Sequence, residues 1–424
     1  MMRILVITTE PVPLPGCMST GAGIRAWGLV QGLRSCGFDA EIAMAADGVS
    51  QWSPEKRSGT KDWIFERERL DEHVRARKAD LLVMQHWGLM DRLGDHDIPL
   101  AIDLAGPHLL ERRFWASPNP LRDMDQKLKA LSRADFLTCS GRNQRHYFLA
   151  YALMAGFDAT APDLLPVIPF SVSPELPEET EHDPETWVYA GMLLPWQNPK
   201  AGIEAALEVF QARGRGELHF IGAQHPAGDV SRGRFDKILE RLNTSRQAMV
   251  LKPRPYDDLC DYLRRRGAAL DLMEWNNERE LAFPSRSVVY LACGLPVLHG
   301  RQSEMGELIL RYDAGWLMNP HDPEGLRALF ESLLDRPEEL ERRRENARRL
   351  VRENLTWDRT IEPLARWCAN PQRRNKGGKE DSWVDRVNYL ETESETVCGA
   401  LNELKGRRLV KISDYIRKIR RRTL

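Results

Sequence analysis

The sequence predicts an α/β protein: two doubly wound, Rossmann-like domains facing each other across a cleft, followed by a helical C-terminal tail. Three observations predict it. Short apolar runs alternate with stretches of helical spacing along most of the chain, the pattern of parallel strands covered on both faces by helices. The pattern stops at residues 173–185 (SPELPEETEHDPE), which are rich in proline and acid, and then begins again. The length of 424 residues suits two or three domains.

The elements follow in order. Residues 4–8 are a continuous apolar run leading into a Pro/Gly-rich loop, 11–23. Residues 24–36 have helical spacing (Ile24, Trp27, Val30, Leu33), and Gly37 sits where a helix stops. Further strands are expected at 41–45, 80–85, 99–103, 135–139 and 164–168, with helices at 65–78, 118–133 and 141–155. These make a first domain, 1–172. Residues 173–185 read as the linker. The second domain, 186–355, has strands expected at 186–190, 217–221, 248–251, 268–273, 296–299 and 315–318. Helices lie between them and at 323–334 and 338–353. Residues 356–369 hold a further helix. Residues 370–424 are a polar connection containing Gly377-Gly378 and then a helical tail. The last stretch, 405–424, carries nine Lys/Arg and one acid, Asp414.

Composition narrows the function. A hydrophobic fraction of 42% supports sizeable cores, and a formal net charge of −1 offers no global field for a nucleic-acid backbone. The seven cysteines form no Cys-x-x-Cys pair, so neither a zinc site nor a disulfide framework is indicated. A reduced, cytoplasmic setting is expected. No apolar run reaches the length of a spanning helix or a signal peptide. The amphipathic, basic tail is expected to reach an anionic membrane surface from the cytoplasmic side, through residues 405–424.

The chemistry-bearing residues lie at predicted strand ends. Phe283-Pro-Ser-Arg-Ser-Val-Val-Tyr-Leu-Ala-Cys-Gly-Leu-Pro-Val-Leu298 reads as a loop, a short helix and a buried strand. A helix opening at Ser285, Arg286 and Ser287 is a ready anion site, because its first N–H groups have no partner within the helix. Gly21, Gly23 and Arg25 form a Gly loop between the first strand and helix, which reads as an anion-facing turn or as a plain strand–helix turn. It is not Gly-x-Gly-x-x-Gly, so a dinucleotide is not expected. His86, Asp103 and His108 end strands or follow them, where open α/β sheets bind ligands. A histidine there can hydrogen-bond a hydroxyl or assist proton transfer; the alternative is a capping or structural role. Asp95-His-Asp97 and Asp123-Met-Asp125 are too short a match to assign a metal.

The 283–298 stretch resembles the donor-sugar segment of family-4 glycosyltransferases with the GT-B fold: Pro-Ser-Lys/Arg, two variable residues, Glu, Tyr-Leu-Ala, a small residue, Gly, any residue, Pro-Val. The resemblance extends over residues 1 to about 368. It implies transfer of a sugar from a nucleotide-diphosphate sugar to a glycan or lipid-linked acceptor, with retention, no metal and no cofactor, in the manner of surface-polysaccharide enzymes. It also implies that residues 356–369 cross back onto the first domain. His108 and Asp103 would lie near the reacting centre. Gly191, Gln197, Asn198, Lys200, Arg254, Glu280, Ser285, Arg286, Ser287 and Val289 would face the donor. The chain departs from the family in three places. Met192 and Gln197 stand where an Arg and a Lys clamp the diphosphate, and Val289 stands where a Glu meets the ribose. The remaining pair position falls on Leu281, next to Glu280. These departures motivate an alternative, a non-catalytic scaffold of the same fold; a nucleotide-sugar epimerase is a further alternative, since one fold hosts different reactions.

Overall fold

The computed structural model describes residues 2–115, 119–158, 160–223, 233–374 and 383–420. Among the described residues, twelve strands form two parallel six-stranded sheets. The first contains β1 (Arg3–Thr8), β2 (Asp39–Ala45), β3 (Ile64–Phe65), β4 (Leu81–Gln85), β5 (Leu100–Leu104) and β6 (Phe136–Cys139), in the order β3-β2-β1-β4-β5-β6. The second contains β7 (Asp183–Met192), β8 (Glu217–Ala223), β9 (Ala248–Val250), β10 (Arg266–Asp271), β11 (Val297–Gly300) and β12 (Gly315–Met318), in the order β12-β11-β10-β7-β8-β9. The central strands are apolar on both faces because helices cover both, and β1 and β4 are buried along nearly their whole length. In each sheet the order turns around a central strand, so a crevice opens at the C-terminal strand ends. The two crevices face each other.

Register brings polar residues into a row. Gln85 pairs with Asp103 and Asp103 with Thr138 across β4, β5 and β6. Thr8, at the end of β1, donates to Gln85 Oε1 at 2.7 Å.

The chain crosses between the halves twice. The two crossings pair with each other: Val172 N–H donates to Leu355 O at 2.9 Å, and Trp357 N–H to Val172 O at 3.0 Å. The helices Trp357–Thr360 and Glu362–Ala369 then lie on the first sheet, where Ile361, Leu364 and Cys368 join the core of Leu29, Val30 and Leu33. Gly32 is needed at this contact, because a Cβ there would stand 2.7 Å from that of Ile361.

Several expected elements differ. Residues 164–168 form no strand, only an isolated bridge between Cys139 and Val167. Pro166 has no N–H to give a ladder, and Leu165 sits at φ 59°, which turns the chain out of the extended region. The helix expected at 65–78 begins at Leu70, since Ile64 and Phe65 are drawn to the sheet edge beside Met44 and Ala45. Residues 183–185, placed in the linker on composition, open β7, where Asp183 pairs with Arg266.

Candidate active site

The cleft between the sheets is a cavity of about 480 Å³. Its first wall carries the Thr20–Arg25 turn, His86, the loop 105–108 and Glu111. Its second wall carries Gly191, Met192, Gln197, Arg254, Glu278, Arg279 and the start of the Ser285–Ala292 helix. The walls touch at the ends. Gly21 and Ser285 approach so closely that a Cβ on Gly21 would lie 2.5 Å from Ser285 Oγ. Arg142 binds Glu304 at 3.2 Å and Glu307 at 2.5 Å, and Asn143 Nδ2 donates to Glu280 O at 3.1 Å.

Arg286 is the central cation of the second wall. Its side chain leaves the first turn of the Ser285–Ala292 helix and runs under the end of β7, with the guanidinium carbon 4.5 Å from the centre of the Tyr189 ring. Nη2 donates to Gln197 Oε1 at 3.0 Å and to Met192 O at 3.3 Å. Nη1 lies 3.7 Å from Asp271 Oδ1 and, although buried, makes no hydrogen bond. Asp271 is fixed in turn by Ser287 Oγ at 2.5 Å and sits 3.5 Å from His299 Nδ1. Burial opposes the charge of Asp271. The hydrogen bond to His299, the guanidinium of Arg286 and the Ser287 hydroxyl outweigh it and hold the carboxyl well below its usual range.

Met192 and Gln197, where the sequence resemblance led one to expect clamp cations, thus hold a guanidinium that arrives from another element. Gly191 makes room for it. Gly191 has φ +150°, and a Cβ there would stand 2.6 Å from Arg286 Nε and Nη2. Gly191→Ala is expected to displace the guanidinium and weaken binding of a nucleoside diphosphate by about tenfold or more, as measured by titration calorimetry.

On the first wall, His108 Nδ1 pairs with Glu111 Oε2 at 2.8 Å, and its ring meets the ring of His86 edge-on at 4.0 Å. His86 adopts φ 101°, outside the usual range for a side-chain-bearing residue, and its Nδ1 accepts from Gly88 N–H at 2.9 Å. Burial, then the charges of His108, Lys127 and Arg112, push its pKa well down, so the ring is neutral with its proton on Nε2. Opposite stands Glu278, 2% exposed and bound twice by Arg279, at 2.6 and 2.7 Å. Burial pushes the pKa of Glu278 up.

The structure divides the residues anticipated from sequence. His108, Gly191, Gln197, Arg254, Ser285, Arg286, Val289 and Gly21 line the cleft. Seven others are corrected. Asp103 is 1% exposed, and its oxygens take Arg25 Nε at 2.6 Å, Arg25 Nη2 at 2.7 Å and Thr138 Oγ1 at 2.7 Å. It holds the sheet together and does not face a reacting group. Arg25 is therefore spent on Asp103 and on Ile168 O at 2.9 Å, and it is not free to meet an anion. Ser287 is wholly buried and serves Asp271. Lys200 points along its own helix toward Glu204 at 3.8 Å, half exposed. Glu280 is exposed outside the cleft, and Glu278 takes the inward place, because the Asn277–Leu281 helix turns that side chain under the wall. Asn198 is a loop fastener: its Oδ1 accepts Lys200 N–H and its carbonyl accepts Glu274 N–H. Gly23 fits tightly under Pro11 O, where a Cβ would stand 1.8 Å away, and shapes the turn rather than lining the cleft.

Sequence reading passed over Glu111, Arg279 and Lys127. Glu111 had a signal, its i+3 spacing from His108. Lys127 had none, since a single Lys on a helix normally points to water. Here it is wholly buried, with Nζ 4.2 Å from the Tyr151 ring centre, 4.3 Å from Phe148 and 5.3 Å from Tyr147, and without a hydrogen-bond partner. Burial lowers its pKa to about 7. The unfolded chain keeps that proton to a much higher pH. Stability therefore rises as pH climbs from 7 toward 10, and the full penalty applies below 7. Lys127→Met is expected to stabilise the protein by a few kcal/mol, on the order of the burial penalty less the ring contacts. Thermal melts should show the gain at pH 6.5 and a narrowing gap toward pH 10.

Residues 174–350 match the family described as glycosyl transferases group 1. No curated protein matches the chain by sequence. Among solved structures, the chain is similar to a sucrose-phosphate synthase from Thermosynechococcus elongatus, at 15% identity and TM-score 0.61, over 86% of this chain and 98% of that one. It is also similar to an alpha-glucosyltransferase in complex with UDP and a 13-mer DNA containing a HMU base, at 11% identity and TM-score 0.62, over 87% of this chain and 100% of that one. A third is a mutant of S. aureus TarM in complex with Fondaparinux, alpha-GlcNAc-glycerol and UDP, at 11% identity and TM-score 0.52, over 68% of this chain and 55% of that one. The architecture is the GT-B fold, and the half that carries Arg286 matches the glycosyl transferases group 1 family.

Proposed function

We propose that the protein transfers a sugar from a nucleoside-diphosphate sugar to a hydroxyl of a glycan or lipid-linked acceptor, with retention at the anomeric carbon. The observation that carries this reading is the buried guanidinium of Arg286, whose Nη1 makes no hydrogen bond and stands 3.7 Å from Asp271, beside a helix N-terminus in an interdomain cleft. A diphosphate needs cations or aimed N–H groups as it departs, and this wall supplies both. In the step, the bond from the sugar's anomeric carbon to the diphosphate oxygen breaks and a bond to the acceptor oxygen forms on the same face. The acceptor's proton passes to the departing phosphate. Glu111 holds His108 at Nδ1, leaving Nε2 for a substrate hydroxyl. Val289 packs at the cleft wall and offers the ribose no acceptor, so the nucleoside would be held by phosphate and base contacts, with Arg254 beside Tyr262 on the base side. The chemistry is proposed to need no metal ion.

We place the reaction in surface-polysaccharide assembly at the cytoplasmic face of a membrane. The basic stretch 405–424 is the proposed anchor; residues 421–424 and most side chains from 407 onward lie outside the described residues. No described helix is long and apolar enough to cross a membrane. The second reading, a non-catalytic scaffold, is favoured by the uncharged Met192, Gln197 and Val289.

A thermal-shift panel with uridine, guanosine and adenosine diphosphates and their sugars tests the proposal, together with donor turnover. Stabilisation by one nucleotide with slow donor hydrolysis is expected. Stabilisation without turnover supports the scaffold, and conversion of the donor to an isomeric nucleotide sugar supports an epimerase. No stabilisation by any nucleotide sinks the donor site itself.

A further inference from the structure

The C-terminal helix, Trp383–Arg420, is 38 residues long, or about 57 Å. Its start is fastened to the body: Val384 is 7% exposed, and the helix packs near the Pro120–Ser132 helix. Every described side chain from Asn388 to Glu403 is exposed. Such a helix is not held by propensity. Residues 392–399 (TESETVCG) are poor helix formers apart from the two Glu, and Gly399 and Gly406 sit inside it. A solvated helix of this composition needs a partner.

The partner is written in the spacing. Trp383, Val387, Leu390, Ser394, Val397 and Leu401 recur at alternating steps of four and three. That is the period of 3.5 residues that defines a coiled-coil seam, and narrower than the apolar face of a helix lying on a core or a lipid surface. Trp383, Leu390, Val397 and Leu401 are 58, 45, 59 and 49% exposed. The flanking charges choose the arrangement. In a parallel, in-register pair, Arg386 precedes one seam position and faces Glu391 of the other helix, once on each side. In an antiparallel pair centred on the same stripe, Glu391 and Glu393 would each face their own copies. The acids Glu391, Glu393, Glu395 and Glu403, against Arg386, also repel an anionic bilayer over this stretch.

We propose that residues 383–401 of two copies of this chain pair as a parallel two-stranded coiled coil, so that the protein is a dimer with both bodies at the same end of the stalk. The dimer does not depend on which reaction the cleft performs. Light scattering of the full-length protein at tens of micromolar should give twice the chain mass of 48.6 kDa. Leu390→Lys combined with Val397→Lys, both at exposed positions, should return it to one chain mass with an unchanged melting profile of the body. Arg386→Glu should weaken the dimer, and Arg386→Glu with Glu391→Arg should restore it. With Cys36 and Cys398 replaced by Ser, Ser394→Cys should cross-link the two chains under mild oxidation, and Glu395→Cys, off the seam, should not. A single chain mass for the wild type overturns the proposal, and so does a dimer indifferent to the Lys pair. A dimer that Ser394→Cys fails to cross-link overturns the parallel arrangement. A monomer whose stripe is required for binding to phosphatidylglycerol vesicles overturns it in favour of a membrane face.

Discussion

Arg286→Ala is expected to remove nucleoside-diphosphate binding almost entirely, with affinity falling about 10²–10³-fold, the scale for losing a buried charge-assisted contact to a phosphate. The reason is redundancy, or its absence. At the end of β7, where a clamp would supply two cations, Met192 and Gln197 supply none, and the Arg286 guanidinium is packed between them. Arg254 stands at the cleft edge over Tyr262, and Lys200 is turned toward Glu204. Arg25 is locked on Asp103. Arg279 is locked on Glu278. Titration calorimetry with the nucleotide that stabilises the wild type is the measurement. Arg286→Lys should rescue little, because an ammonium cannot both stack on Tyr189 and reach Gln197 and Met192. The loss should exceed that of Gly191→Ala, which moves the same group without deleting it. If Arg286→Ala binds the nucleotide as the wild type does, the cleft wall is structural and the proposed donor site is wrong.

Asp103→Ala should cost the first domain about 3–5 kcal/mol, the scale for removing one partner of a buried ion pair. That is on the order of 10 °C in its melting temperature. The pair is 4% and 1% exposed at Arg25 and Asp103. Deleting the carboxylate strands a guanidinium in the core and leaves Thr138 Oγ1 without its acceptor. Arg25→Met with Asp103→Leu should recover most of the loss, since two apolar groups of similar volume leave no charge behind. Differential scanning calorimetry of the three variants decides it. A melting temperature unchanged in Asp103→Ala, with turnover lost, would return Asp103 to a role in the reaction.

The two residues show what sequence can reach. Arg286 follows Pro284-Ser285 at the start of a predicted helix, so its place beside that helix N-terminus, the proposed anion site, is a local property, legible from a few neighbours. Asp103 sits at a strand end, where the same local logic put it in the site. Its fate was set by Arg25, distant in the chain, and by the register of β5 against β6. Glu280 and Glu278 make the same point on a smaller scale. Spacing from the family pattern chose the first. The short Asn277–Leu281 helix turns the second inward, because Asn276 caps it through Glu278 N–H and Arg279 N–H.

Alternating apolar strands and helices, the break near residue 180 and the Pro284-Ser285-Arg286 turn specify a two-domain α/β frame and point to the proposed anion site on its second half. All of these are written in contiguous residues and their periodicity, which act through local backbone preference and burial. The partners of the charges belong to the folded chain alone. Arg25 on Asp103, Arg286 under Gly191 and Lys127 among three rings each join segments far apart in sequence, and whether a charge meets a ligand or another side chain depends on which segments the packing brings within about 3–4 Å.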